Sequence, residues 1–142
     1  MAEIFRAETR KAIVRCYPVM AELRPHVTEK AFLEKVARQR KSGGFQLAYV
    51  EDAGTVRSVA GYRFLENLAW GKFLYVDDLI TSETSRSQGY GELLLEWLIQ
   101  EARRARCDEF HLDSGVQRFG AHRFYLRHGL DITCHHFALK LQ

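Results

Sequence analysis

The segment from Arg86 to Gly91 is composed of residue types that bind phosphate. Its sequence, Arg86-Ser87-Gln88-Gly89-Tyr90-Gly91, places a cation and two glycines directly before an amphipathic stretch. An apolar run with two acids, Leu74 to Ile80, precedes it and predicts a mostly buried strand. A strand, a glycine-bearing loop and a helix N-terminus in this order bind anions, because first-turn amides lack internal acceptors and the helix dipole is positive there. Glycines let backbone N–H groups approach phosphate oxygens, and an arginine adds charged donors.

Two nucleotide-binding motifs do not match this segment. A Walker loop ends in Gly-Lys-Ser/Thr, and the segment contains no lysine. The dinucleotide fingerprint requires a third glycine at position 94, where this chain has Leu94. The pattern that remains is R-x-x-G-x-G directly behind a strand.

This loop resembles the pyrophosphate loop of the GNAT superfamily of acyl-CoA-dependent N-acyltransferases. A second segment, Leu112 to Leu130, resembles the other signature of that superfamily, in which a strand end is followed by a short helix with Ala-x-x-Phe-Tyr and then by a glycine and an apolar residue. The two signatures stand in the right order and cover the C-terminal half of the chain. The N-terminal half matches only in its order of elements, and it is where the superfamily encodes acceptor choice.

The resemblance implies roles for individual residues. Tyr125 would protonate the departing thiolate, although it could instead be a core tyrosine with its hydroxyl at the surface. At position 118 the superfamily often has asparagine, and Arg118 departs from that pattern. The residues implied in coenzyme A binding are Leu79, Ile80, Thr81, Arg86, Ser87, Gln88, Gly89, Tyr90, Gly91, Glu92, His122 and Phe124.

Asp77 and Asp78 are the candidates for the base that accepts the ammonium proton of an acceptor amine. Adjacent strand residues point to opposite faces, so we expect at most one of them to face the acceptor. Two acids in an apolar strand are costly unless paired or solvated, so either could instead be the partner of a nearby arginine or lysine. Asp113, at the end of a later strand, is a third candidate.

The remaining histidines and cysteines do not predict a metal or disulfide site. His135 and His136 are adjacent on a predicted strand and face opposite ways, while His122 and His128 do not share an i, i+4 face. The three cysteines are far apart and odd in number, which favours a reducing cytoplasm. No apolar run approaches the ~20 residues of a membrane span, and no signal peptide is predicted at the start.

The spacing of apolar residues and the helix-capping residues predict which helices and strands position these side chains. Thr9 should cap a first helix that Pro18 breaks or kinks, and a second helix should run from Thr28 to the pair Gly43-Gly44. Strands at 45–50 and 56–64 form a hairpin, in which Gly61 indicates a bulge or a close backbone approach.

The full pattern predicts an α+β fold with a mixed, mostly antiparallel sheet of about six strands. A short first strand is predicted from Ile4 to Ala7. One parallel pair joins Lys72–Ile80 to Glu109–Ser114 through the helix after the glycine loop, and the resemblance implies that this pair is splayed. The last strand should run from Ile132 to Leu141. The whole chain, residues 1–142, is expected to form a single domain.

The leading functional hypothesis is an acetyl-CoA-dependent N-acetyltransferase acting on an amine of a small molecule or a protein. A net charge of +3 suits an anionic cofactor and is too small to indicate nucleic acid by itself. One alternative is an acyl-CoA-binding module without catalysis. Another is a basic domain that binds nucleic acid or protein through Arg38, Arg40 and Lys41, although these cations also complement a helix C-terminus. An exposed last strand would favour a homodimer.

Overall fold

A computed structural model describes residues 1–142, which form two compact units, residues 1–111 and 112–142. The strands are β1 (Glu3–Arg6), β2 (Gln46–Asp52), β3 (Thr55–Asn67), β4 (Gly71–Thr81) and β5 (Glu109–Leu112). The helices are α1 (Arg10–Leu23), α2 (Glu29–Gly43), α3 (Tyr90–Arg104) and α4 (Phe119–Arg127), with a short 3₁₀ turn at Glu83–Ser85. None of the helices is both long and apolar enough to cross a membrane.

The five strands form one sheet in the order β1-β2-β3-β4-β5. The first four are joined by antiparallel pairings, and β4 is followed by α3 and then by β5, which gives one parallel pair. The predicted α+β class and its mostly antiparallel sheet are therefore confirmed.

Helices cover both faces of this sheet. On one face, Leu47 and Tyr49 of β2 belong to the same buried cluster as Cys16 of α1 and Phe32 of α2. On the other face, the ring of Tyr62 meets Trp97 of α3 at 6.0 Å, edge to face. The spacing of apolar residues after the glycine loop predicts one buried stripe at Leu94, Leu95, Leu98, Ala102 and Ala105. The first four are buried on α3, whereas Ala105 follows the last residue of the helix and is only half-buried.

The two N-terminal helices begin at the predicted caps. The side chains of Thr9 and Thr28 accept hydrogen bonds from the amides three residues later, and Gly44 ends α2 in the left-handed conformation. The predicted break at Pro18 is wrong, because α1 continues through it. Pro18 is exposed while Cys16 and Val19 are buried on either side of it, so their packing compensates for the missing N–H donor.

The predicted last strand, Ile132 to Leu141, does not form, so the sheet has five strands instead of about six. Residues 130–142 have no helix or strand, and the side chain of Phe137 is 91% exposed. A strand needs a neighbour to pair its amides and carbonyls, and the alternating apolar pattern of this tail cannot supply one by itself.

A β-bulge interrupts the pairing of β3 with β4. Gly61 stands opposite Asp78 and Tyr62 stands opposite Val76, so Asp77 has no partner residue on β3. The bulge that Gly61 indicated is therefore present. The expectation that Asp77 and Asp78 face opposite ways is wrong, because both line the same cavity. An extra residue in a bulge breaks the strict alternation of side chains.

Candidate active site

A cavity of about 680 Å³ lies in the first compact unit, between the two N-terminal helices and the strand β4. Tyr17, Met20 and Ala21 of α1 line it at helical spacing, and Arg24, which follows the last residue of α1, lines it as well. On α2, Phe32, Lys35, Val36, Gln39 and Gly43 do the same. Residues of β3 and β4 complete the wall, among them Arg63, Tyr75 and the two aspartates of the bulge. The cavity is thus mostly apolar with a few charged groups, as small-molecule sites usually are.

Asp77 is held firmly by Arg63. The Nε of Arg63 donates to Oδ1 at 3.1 Å and to Oδ2 at 2.9 Å, and its Nη2 donates to Oδ2 at 2.7 Å. The same guanidinium donates to Oε1 of Gln39 at 2.6 Å and lies over the ring of Phe45. Asp77 therefore has its hydrogen-bonding capacity largely taken up by one arginine.

Asp78 is bound less completely. The Nε of Arg24 donates to its Oδ1 at 2.8 Å, and the Arg24 side chain is 45% exposed whereas that of Asp78 is 16% exposed. Burial raises the pKa of Asp78 above its ordinary value, and the hydrogen bond from Arg24 opposes that rise. A carboxylate with a raised pKa, one exposed partner and access to a cavity is a suitable proton acceptor.

The loop between β4 and α3 is fastened at both ends. At its start, the carboxylate of Glu22 on α1 accepts from the Ser82 hydroxyl at 3.0 Å and from the Glu83 amide at 2.8 Å. At its end, the hydroxyl of Tyr90 donates to Oδ2 of Asp52 at 2.7 Å. Between these anchors, residues 86–89 are exposed.

The N-terminus of α3 fits an anion. Gly89 caps the helix at φ 85° with no side-chain hydrogen bond, so no side chain of the cap occupies the first-turn amides. Space around the Cα of Gly89 is open, and Ser87 also adopts a positive φ of 62°. Arg86 is exposed beside this loop, with its Nε 3.5 Å from the carbonyl of Thr81. These features fit an anionic group such as a phosphate.

Side chains of two predicted cofactor residues point elsewhere. Tyr90 is buried and bonded to Asp52, and Ile80 is part of the core cluster on the α1 and α2 face. Only their backbone atoms remain for a ligand. Among the other predicted loop residues, Gln88 and Glu92 are exposed and Gly91 lies in the first turn of α3.

The far end of β4 extends beyond its parallel neighbour. The Asp108 amide donates to the carbonyl of Lys72 at 2.6 Å, so β5 begins beside the start of β4. β5 has four residues and β4 has eleven, so β5 cannot reach Leu79 or Thr81. The predicted cofactor segment Leu79–Thr81 therefore pairs with β3 on one side only among the strands of this sheet.

Tyr125, Phe124 and His122 belong to the second compact unit, on α4. Burial raises the pKa of the Tyr125 phenol, with the charge of Arg118 opposing the rise. The ring of Phe124 lies 5.5 Å from that of Tyr125, and Nε2 of His122 donates to the carbonyl of Gly115 at 2.7 Å. Asp113 lies 3.6 Å from Nδ1 of His136 in the same unit.

Cysteine and histidine chemistry contributes little to this picture. All three cysteines are free, and burial raises the pKa of the Cys16 thiol to about 12, so it is not nucleophilic. No group of three or more histidine, cysteine, aspartate or glutamate side chains is arranged to hold a metal ion.

Sequence reasoning missed the basic side of the cavity. Arg24, Lys35 and Arg63 line it, yet none belongs to a motif. Arg24 follows Tyr17 by seven residues, about two helical turns, and this spacing could have indicated that the two side chains lie on the same side. Arg63 could have been found only by knowing the β3–β4 register.

Comparison with known proteins agrees with this geometry. The model of the acetyltransferase (GNAT) family matches residues 6–130. An uncharacterized N-acetyltransferase, YhdJ, from Bacillus subtilis is 32% identical over 109 residues, 77% of this chain and 77% of that protein. Aminoalkylphosphonate N-acetyltransferase from Salmonella typhimurium is 39% identical over 54 residues, 38% of this chain and 35% of that protein.

A solved structure shares the fold. Aminoglycoside N-acetyltransferase AAC(6')-Iy, determined in complex with CoA, superposes with a TM-score of 0.88 at 10% identity, covering 99% of this chain and 94% of that one. The chain belongs to the GNAT family of acetyltransferases, and it is an acyltransferase.

Proposed function

We propose that this protein transfers an acetyl group from acetyl-CoA to a primary amine of a small molecule or a protein, by direct attack while both are bound. One observation carries the proposal: a single strand, β4, brings Asp77 and Asp78 to the cavity and continues directly into the loop at α3. Acceptor and cofactor would thus meet along one strand. Family membership supports acetyl transfer as the chemistry.

Each group of residues has its own role in the proposed reaction. Amides of residues 86–92 bind the pyrophosphate, and unpaired amides at Leu79–Thr81 orient the pantetheine arm. Acetyl-CoA, when bound, supplies the acetyl thioester. Asp78 accepts the ammonium proton of the acceptor, directly or through a water, and Arg63 with Asp77 fixes the wall beside it. Tyr125 protonates the leaving thiolate; this assignment is supported by the Ala-x-x-Phe-Tyr motif and by a raised pKa that keeps the phenol protonated.

Two measurements test the proposal. Saturating acetyl-CoA should raise the melting temperature, since a ligand at a hundredfold excess over its dissociation constant stabilises by about 2.7 kcal/mol. A panel of amines should then release free coenzyme A thiol, measured against a blank without amine because Cys134 is exposed. Stabilisation without thiol release from any amine would indicate an acyl-CoA-binding module, and no stabilisation would contradict the proposal altogether.

We also propose a homodimer in a reducing, cytoplasmic compartment. Phe137, Leu139 and Leu141 are exposed at alternate positions of the C-terminal tail, which suits pairing with a second copy. Light scattering of the chain and of a truncation after Gly129 tests this. A monomer at micromolar concentration, or a dimer that persists without the tail, would contradict it.

A further inference from the structure

The cavity at the candidate site has more cationic than anionic side chains. Arg24, Lys35 and Arg63 line it, against the two carboxylates of Asp77 and Asp78. His26 lines it as well. A cavity built for a polyamine would show the opposite excess, because each ammonium needs a carboxylate.

The carboxylates are already paired, whereas some of the cations are not. Arg63 binds Asp77 through three N–H contacts, and Arg24 binds Asp78. Lys35 and His26 are exposed, and neither is joined to any group of the chain by a hydrogen bond or an ion pair. The charge that a ligand could neutralise is therefore positive.

Resting on the proposed acetyl-transfer function, we infer that the acceptor is an amine that also carries an anionic group, a carboxylate or a phosphonate. Its ammonium pairs with Asp78, and its anion pairs with Lys35. Arg24, which donates to Oδ1 of Asp78 and to the backbone carbonyl of Asp77, has a 45% exposed side chain and offers a second cation for the anion. The bound acceptor thus pairs both of its charges with groups of the cavity.

The helix α2 places these groups in a row. Lys35, Gln39 and Gly43 follow one another at four-residue intervals along its cavity face. Gln39 accepts a hydrogen bond from Arg63 near the two aspartates. Lys35 lies about one helical turn closer than Gln39 to the N-terminus of α2. Apolar surface from Tyr17 and Phe32, whose rings meet at 5.5 Å, is available to the carbon chain between the two charges.

Matched pairs of amines test the inference. β-Alanine is compared with its amide, and aminoethylphosphonate with ethanolamine, by measuring kcat/KM through thiol release. We expect the anionic member of at least one pair to be preferred by about tenfold, the value of one charge-assisted contact of about 1.4 kcal/mol. The two pairs distinguish a carboxylate from a phosphonate.

Variants at Lys35 test whether the preference for anionic amines arises in this cavity. Lys35→Gln should raise KM for the anionic member about threefold to tenfold more than for the neutral member, since exposed ion pairs are modest, and should affect kcat little. Lys35→Glu should enlarge that difference. Lys30→Gln is the matched control, because Lys30 is also exposed on α2 but does not line the cavity.

The outcomes separate this inference from the proposed function. A preference for neutral amines or polyamines, or equal losses for both members in Lys35→Gln, overturns the inference and leaves acetyl transfer intact. If no amine is acetylated, the proposed function fails, and calorimetric titration of each pair into the coenzyme A-loaded protein decides the inference. Tighter binding of the anionic members supports it, and equal or weaker binding overturns it.

Discussion

Gly61 leaves the space that the Asp78 carboxylate and the Phe45 ring occupy. A Cβ at position 61 would lie 3.1 Å from Oδ2 of Asp78 and 2.5 Å from Cζ of Phe45. The β3–β4 bulge and the absence of a side chain at position 61 together allow the carboxylate and the ring to lie side by side at the cavity. The position of Asp78 thus depends on a residue of the neighbouring strand.

Gly61→Ala should lower the free energy of unfolding by about 1–3 kcal/mol, the usual cost of overpacking, and should also reduce turnover by displacing Asp78. Urea unfolding and steady-state kinetics measure the two effects. Gly120→Ala is the control, because Gly120 lies in α4 with open space around it. That variant should be neutral or slightly stabilised. Equal stability of the two variants would contradict the tight contact.

Asp77→Asn should destabilise the fold by about 1–3 kcal/mol, because the Arg63 guanidinium loses its carboxylate while remaining partly buried. A double-mutant cycle with Arg63→Gln measures the coupling between the two side chains. We expect the double variant to be less unstable than the sum of the single changes. Strict additivity would mean that the pair contributes nothing.

Asp78→Asn should change the stability and the activity of the protein with different dependences on pH. The folded pKa of Asp78 lies above its ordinary value of 3.8, so the folded state holds this proton more tightly than the unfolded state does. The contribution of this group to stability is therefore largest below about pH 3.8 and falls as the pH rises through the raised pKa.

The melting temperature of the Asn variant, relative to that of the parent, should consequently increase as the pH rises from about 3.8 through the raised pKa of Asp78. Turnover should fall most on the acid side, where the acceptor is mainly ammonium and removal of its proton limits the rate. A stability difference that is constant with pH would contradict the raised pKa of Asp78. A loss of activity equal at all pH values would exclude Asp78 as the base.

Gly89→Ala should abolish the stabilisation by acetyl-CoA, because φ of 85° strains any side chain and the new methyl group would protrude where phosphate must approach. Gly54→Ala is the matched control. Gly54 has φ of 74° and open surroundings in the β2–β3 turn, so it has the same strain without the ligand. Both variants should lose stability, and only Gly54→Ala should keep the acetyl-CoA shift in differential scanning fluorimetry.

Tyr125→Phe should keep the affinity for acetyl-CoA and lower kcat by about 10²–10⁴-fold, the range of a general acid. Because the pKa of Tyr125 is raised, the parent enzyme should show no alkaline loss of activity from this group below about pH 10. Stopped-flow and steady-state pH profiles measure this. Full activity of Tyr125→Phe would make the tyrosine a packing residue.

The sequence predicted the elements whose signals are local. Thr9, Thr28 and Gly44 mark helix ends through hydrogen bonds within a few residues, and the stripe of α3 follows from helical period alone. A bulge was predicted from Gly61, but the paired aspartates on one face were not, because which residues of β4 lie opposite that bulge depends on how the two strands register. The continuation of α1 through Pro18 and the unpaired tail likewise depend on tertiary partners that local patterns do not contain.

The cavity wall and the phosphate loop come from separate stretches of chain. The uninterrupted segment from α1 through α2 supplies Tyr17, Arg24, Lys35 and most of the wall, while the loop at 86–91 lies far along the sequence. Under the proposed function, substitutions at the cavity-lining positions of the first segment can therefore alter which amine is accepted without changing the loop sequence. An exchange of residues 10–43 between relatives has to keep Glu22, because its carboxylate holds Ser82 and Glu83 at the start of that loop.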